Sequence, residues 1–247
     1  MARSPADQVK NVNVISFGNE EGLANAAAAQ WVQEIEAAAR ESRPHRVALS
    51  GGRIAHRFFS AAAALAKPQP DMMSSVQFFW SDERCISPTD PESNFAAARD
   101  LLLTPLGIPE SQIHRLRGED PPQQSAAAAE KELRAIAPAN AAGQPVLDLI
   151  FLGLGEEGHV ASLFPGESQN VADSPAVYRP ITASKPPPLR ITMGYQTIAA
   201  AKQVWVLASG AGKEGALRNS LSPNGTTPLA RVLKSRSQTC IFTDIAV

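Results

Sequence analysis

Cysteine is scarce in this chain: Cys85 and Cys240 are the only two in 247 residues, and they stand far apart and outside any metal-ligand spacing. That excludes a disulfide scaffold of the small secreted kind and fits free thiols in a reducing compartment, so a cytoplasmic protein is expected. Long apolar runs are missing too. No stretch approaches the roughly eighteen uninterrupted apolar residues of a membrane span, and M-A-R-S-P-A-D-Q-V-K at the start has no apolar core for a secretion leader. Neither sign of charge is in excess, since 23 Lys and Arg face 24 Asp and Glu for a formal net charge of -1. With no long basic run, the chain carries no electrostatic footprint for nucleic acid, and an anion must be met by a local cluster of cations. Repeats and linker-like shifts of composition are also absent. With 44% hydrophobic and 19% charged residues, the whole of 1–247 is expected to form one domain with a full core.

What is present is alternation. Strand-like runs at 12–17, 46–50, 76–80, 147–152, 177–181, 204–208 and 239–242 are separated by helical patterns at 21–40, 55–66, 94–103, 122–136, 191–201, 212–221 and 227–234, with a short edge-like strand at 113–116. Strands alternating with helices predict an α/β fold, a mainly parallel sheet with helices on both faces.

One stretch stands out, V-L-D-L-I-F-L-G-L-G-E-E-G-H-V-A-S-L-F-P-G at 146–166. Its apolar run, interrupted once by Asp148, suits a buried strand, and Gly153, Gly155 and Gly158 punctuate the end. The turn that follows carries Glu156, Glu157 and His159 to the edge where open α/β sheets bind ligands. The glycines match G-x-G-x-x-G, but a dinucleotide site needs a helix opening there and an acid ending the next strand. Pro165 stops such a helix, and Asp173 precedes the next strand-like run, so a catalytic turn is the better reading.

That turn resembles the signature of the 6-phosphogluconolactonases. Three further blocks resemble the family in the same order: S-G-G at Ser50 to Gly52, W-S-D-E-R at Trp80 to Arg84 with P-E-S-N-F from Pro91, and S-K-P-P-P-L-R-I-T from Ser184. The resemblance spans nearly the whole chain and implies a Rossmann-like fold that hydrolyses 6-phosphoglucono-1,5-lactone, with no cofactor and no metal. It casts His159 as the base that activates water and Glu157 as the group that orients it. The phosphorylated sugar lactone is expected to be held by Gly51, Gly52, Arg53, Asp82, Arg84, Asn94, Gly155, Lys185 and Arg190. A glycine pair between strand and helix lets amides approach phosphate, and the three prolines after Lys185 are expected to hold Lys185 and Arg190 apart on extended backbone.

The chain departs from the family in two places. Arg53-Ile54-Ala55 stands where the pattern runs S-T-P after the glycines, and Glu157 stands where Asp is usual. Two other readings stay open: a sugar-phosphate isomerase or deaminase of the glucosamine-6-phosphate type, and a non-catalytic sugar-phosphate sensor.

Overall fold

The computed structural model describes residues 12–246, so the polar N-terminal stretch considered above lies outside the described residues. Strand β1 (Val12–Ser16) leads into helix α1 (Glu20–Arg40). The helix starts where chemistry sets it: the Asn19 side chain accepts the Gly22 N–H, Glu20 and Glu21 occupy the positive end of the dipole, and Arg40 the negative end. Next come β2 (His45–Leu49), α2 (Arg53–Ala66), β3 (Val76–Trp80), β4 (Asp82–Arg84), α3 (Asn94–Ala98) and α4 (Pro122–Ile136). The second half runs β5 (Leu149–Gly153), α5 (Gln169–Ala172), β6 (Tyr178–Thr182), β7 (Leu189–Met193), α6 (Tyr195–Ala200), β8 (Gln203–Ala208), α7 (Glu214–Leu221), α8 (Pro228–Lys234) and β9 (Thr239–Thr243).

Six strands form one sheet in the order β1-β9-β8-β5-β2-β3, every neighbouring pair parallel. Successive strand residues face opposite sides, and Leu149 to Leu152 and Val204 to Ala208 are buried without a break. Both faces of the sheet are therefore covered, as the alternation of elements predicts. An aromatic chain ties one cover to the strands: Trp31 of α1 packs on Phe58 of α2, Phe78 of β3 and Phe151 of β5, and Phe151 continues to Trp205 and Phe242. Truncating a ring so placed costs about 3 to 5 kcal/mol.

The strand order decides where a ligand can go. From β2 the chain winds outward to β3, and from its neighbour β5 it winds the other way to β8. A crevice therefore opens at the carboxyl ends of β2 and β5, the switch point of the sheet.

Two expectations need correction. The helix over 191–201 begins only at Tyr195, because Leu189–Met193 pairs antiparallel with β4 on one side and β6 on the other, in a second sheet ordered β4-β7-β6. Ladder bonds on both edges override a sequence equally readable as helix. Gly194 marks the change, and a Cβ there would lie 2.6 Å from the Ala176 carbonyl. The edge strand at 113–116 shrinks to one bridge between Ile113 and Phe78.

Candidate active site

Strand β5 empties into a turn closed by its own amides: the Gly155 N–H donates to the His159 carbonyl and the Gly158 N–H to the Gly155 carbonyl, each at 3.0 Å. Gly158 has φ +84, and a Cβ would also strike Thr227 at 2.5 Å, so only glycine fits. Gly155, one of the expected ligand contacts, lies beneath the imidazole. A Cβ on it would come within 2.0 Å of His159 ring atoms, so its bare backbone makes room for the histidine.

His159 stacks on Phe164 with ring centroids 4.7 Å apart. Its Nδ1 lies 3.2 Å from Glu157 Oε2, a charge contact whose alignment falls short of a hydrogen bond. Burial pulls the imidazole below its ordinary 6.5, against the opposing pull of Glu157 and Asp82. A neutral ring at physiological pH is a base ready to accept a proton.

Facing the turn is the end of β2. Gly52 has φ +100 and opens the fourteen-residue α2 without any side-chain cap; its carbonyl accepts the Ala55 N–H at 3.0 Å, and the Arg53 and Ile54 amides meet no side-chain cap. Gly51 is glycine for a neighbour's sake, since a Cβ would overlap the Asn94 Oδ1 at 1.8 Å. Asn94 is itself held by Asp82, donating from Nδ2 to the Asp82 carbonyl at 2.9 Å and to its Oδ1 at 3.2 Å. The other Asp82 oxygen accepts the Ser162 hydroxyl at 2.6 Å. Sequence reasoning passed over this serine in the A-S-L-F-P-G run.

Glu83, the other acid of the W-S-D-E-R block, builds the site from within. Its buried carboxylate accepts the backbone N–H groups of Arg84, Asn94 and Phe95 and the Ser93 hydroxyl, which caps α3 and sets Asn94 toward the cleft.

These elements surround an open cleft at the switch point of the sheet. Of the residues singled out in the sequence, Gly51, Gly52, Arg53, Asp82, Arg84, Asn94, His159 and Arg190 line it. Glu157 stands behind His159 and outside the lining. Lys185 also stays out: its Nζ pairs with Glu157 Oε1 at 3.0 Å on a half-exposed side chain. The proline loop that carries it is not extended, because the Ala183 N–H donates to the Pro188 carbonyl at 2.7 Å and turns β6 into β7. Arg190 is buried below that loop, donating to the Pro187 carbonyl at 3.1 Å with its guanidinium over Phe164.

The cleft holds one cation the sequence reading did not assign to it, Lys213 at the mouth of α7. Burial lowers its pKa, and the charge of Arg53 adds to that. The signal was legible, a glycine-flanked lysine between strand and helix in S-G-A-G-K. Four cations, Arg53, Arg84, Arg190 and Lys213, thus face a single acid, Asp82, in a protein of net charge -1. Such a charge distribution favours an anion, and a neutral imidazole on its wall has the chemistry of a base.

Comparison with known proteins places the fold in a family. A family model described as glucosamine-6-phosphate isomerases/6-phosphogluconolactonase matches residues 18–241. The 6-phosphogluconolactonase of Streptomyces coelicolor is 34% identical over 214 residues, covering 84% of this chain and 82% of that protein. That of Treponema pallidum is 36% identical over 196 residues, covering 77% and 79%. The solved structure of 6-phosphogluconolactonase from Trypanosoma brucei superposes with a TM-score of 0.84 at 27% identity, over 95% of this chain and 96% of that one. The match takes in both strand ends that form the cleft and the turn between them, and the chain belongs to the glucosamine-6-phosphate isomerase/6-phosphogluconolactonase family.

Proposed function

We propose that this protein is a 6-phosphogluconolactonase, hydrolysing 6-phospho-D-glucono-1,5-lactone to 6-phospho-D-gluconate in the pentose phosphate pathway. The observation that carries the reading is a neutral histidine set on the wall of a cationic cleft at the switch point of the sheet. His159 turns Nδ1 toward Glu157 and keeps Nε2 for the substrate. Nε2 takes a proton from water as the water oxygen bonds to the lactone carbonyl carbon, and Glu157 stabilises the imidazolium that forms. Collapse of the tetrahedral intermediate breaks the bond to the ring oxygen, which receives the proton back from His159. The phosphate sits against Gly52, the open amides of α2 and the Arg53–Lys213 pair, while Arg84 and Arg190 complete the field from the small sheet. Binding the phosphate end orients the distant carbonyl toward His159. Free thiols at Cys85 and Cys240 support a cytoplasmic setting, and no helix among the described residues is long and apolar enough to cross a membrane.

The purified protein is to be offered the phosphorylated lactone and, separately, glucosamine 6-phosphate, with spontaneous lactone opening subtracted. We expect lactone hydrolysis and no release of ammonia. Ammonia release would make the protein a deaminase, and binding of 6-phosphogluconate without turnover of either compound would make it a sensor.

A further inference from the structure

The cation that stays outside the cleft has a different task. We propose that Lys185 is a positioning residue, anchoring the Glu157 carboxylate and thereby governing the charge state of His159. The inference rests on the reading of His159 as the base. Glu157 is shared: Oε1 and Oε2 lie 3.0 and 3.1 Å from Lys185 Nζ, and Oε2 lies 3.2 Å from His159 Nδ1. A carboxylate left to the imidazole alone stabilises the imidazolium fully and makes the ring a cation near neutrality. An ammonium group on the same carboxylate divides that attraction, and its own charge also opposes protonation of the ring. The groups that act on His159 come from three elements, Glu157 on its own turn, Asp82 on β4 and Lys185 on the β6–β7 loop. Arg190, from β7, acts in turn on Glu157. Asp82 is already engaged by Asn94 and Ser162, so Lys185 is the cation that meets Glu157 directly.

The alternative is that Lys185 serves the phosphate, and the two roles separate cleanly. With the side chain about half exposed, Lys185→Met should fold normally. The pH profile of kcat/KM is to be measured for the parent, Lys185→Met and Lys185→Arg on the phosphorylated lactone and on glucono-1,5-lactone. The ring titration of His159 in each protein is to be followed by NMR, its resonance identified by its loss in His159→Gln. We expect Lys185→Met to move the acid limb and the ring midpoint to higher pH. Just below neutrality its activity should fall roughly threefold further than on the alkaline plateau, equally on both substrates. Lys185→Arg should restore the parent behaviour. An unmoved ring midpoint, with a raised KM for the phosphorylated lactone alone, overturns the proposal in favour of a phosphate contact. A parent that hydrolyses neither lactone would sink the lactonase reading, while the ring titration would still decide the Lys185 link.

Discussion

Glu157 acts on His159 in the sense opposite to Lys185, and this gives a pair of substitutions with opposite signs. The carboxylate raises the affinity of the ring for a proton, whereas burial and Lys185 lower it. Glu157→Gln should therefore shift the acid limb of kcat/KM to lower pH and reduce the plateau rate, because the imidazolium formed in the transition state loses its counter-charge. Glu157→Asp keeps the charge but shortens the reach, so it should be tolerated better than Gln. Equal pH profiles for all three forms would show that the carboxylate has no part in the chemistry. His159→Ala should lower the rate by about 10² to 10⁴ with the fold intact, a loss read directly in single-turnover assays. At this scale the sequence made the chemistry legible in part. The G-E-E-G-H turn put His159 and Glu157 on one loop, and the fold brings them to 3.2 Å of each other. The partner of a long lysine is decided by the fold, however, and nothing in S-K-P-P-P-L-R tells that Lys185 swings onto Glu157 while Arg190 turns under its own loop.

At the scale of elements, the first turn of α2 departs from the family pattern. Arg53 replaces a hydroxyl at the first position of a helix that has no acid in its first turn, and it lies beside Lys213. If this end holds phosphate, a charged hydrogen bond there contributes roughly 1.5 to 3 kcal/mol. Arg53→Ser should raise KM for the phosphorylated lactone by about tenfold or more and leave the small rate on glucono-1,5-lactone unchanged. Equal losses on both substrates would place Arg53 at the carbonyl end. Arg190 is a different case, because it is buried and bonded to the loop that carries Lys185, so Arg190→Ala should weaken turnover of both lactones. Strands β2, β3, β5, β8 and β9 were readable because each carries a short apolar run bounded by turn residues, at the centre of the sheet and, for β3, at its edge. Strand β7 was not, since Leu189–Met193 owes its form to neighbours 100 residues or so earlier on β4 and just before it on β6, which no local pattern reveals.

For the whole molecule, the end of the sheet opposite the cleft sets the response to acid. His45 opens β2 almost fully buried, its Nε2 accepting the Trp31 indole N–H at 3.1 Å, which ties the strand to α1 in its neutral form. Beside it Asp148, the one acid in the central apolar run, accepts the Arg46 N–H at 2.8 Å and Lys202 Nζ at 2.7 Å, joining β2 to the start of β8. The interruption was visible in the sequence, but its partners lie on other strands and became legible only in the fold. Burial holds the His45 imidazole down at about 4, against 6.5 for an ordinary histidine. Below about pH 6.5 the unfolded chain therefore binds a proton that the folded protein refuses, and stability falls until the folded ring titrates near 4. The Asp148 carboxyl is held below its ordinary 3.8, so its contribution is intact in that window and lost only at still lower pH. The His45 loss amounts to about 3 kcal/mol at most, on the scale of 1.36 kcal/mol per pH unit. Denaturant unfolding of the parent at about pH 7 and at about pH 4.5 should show this fall, with His159, also held below 6.5 by burial, adding to it. His45→Gln keeps an acceptor for Trp31 and cannot titrate. It should be less stable than the parent at the higher pH because the packing is altered, yet lose clearly less on acidification. Parallel losses in the two proteins would remove His45 from the account and leave the acid sensitivity to the cleft histidine and the surface.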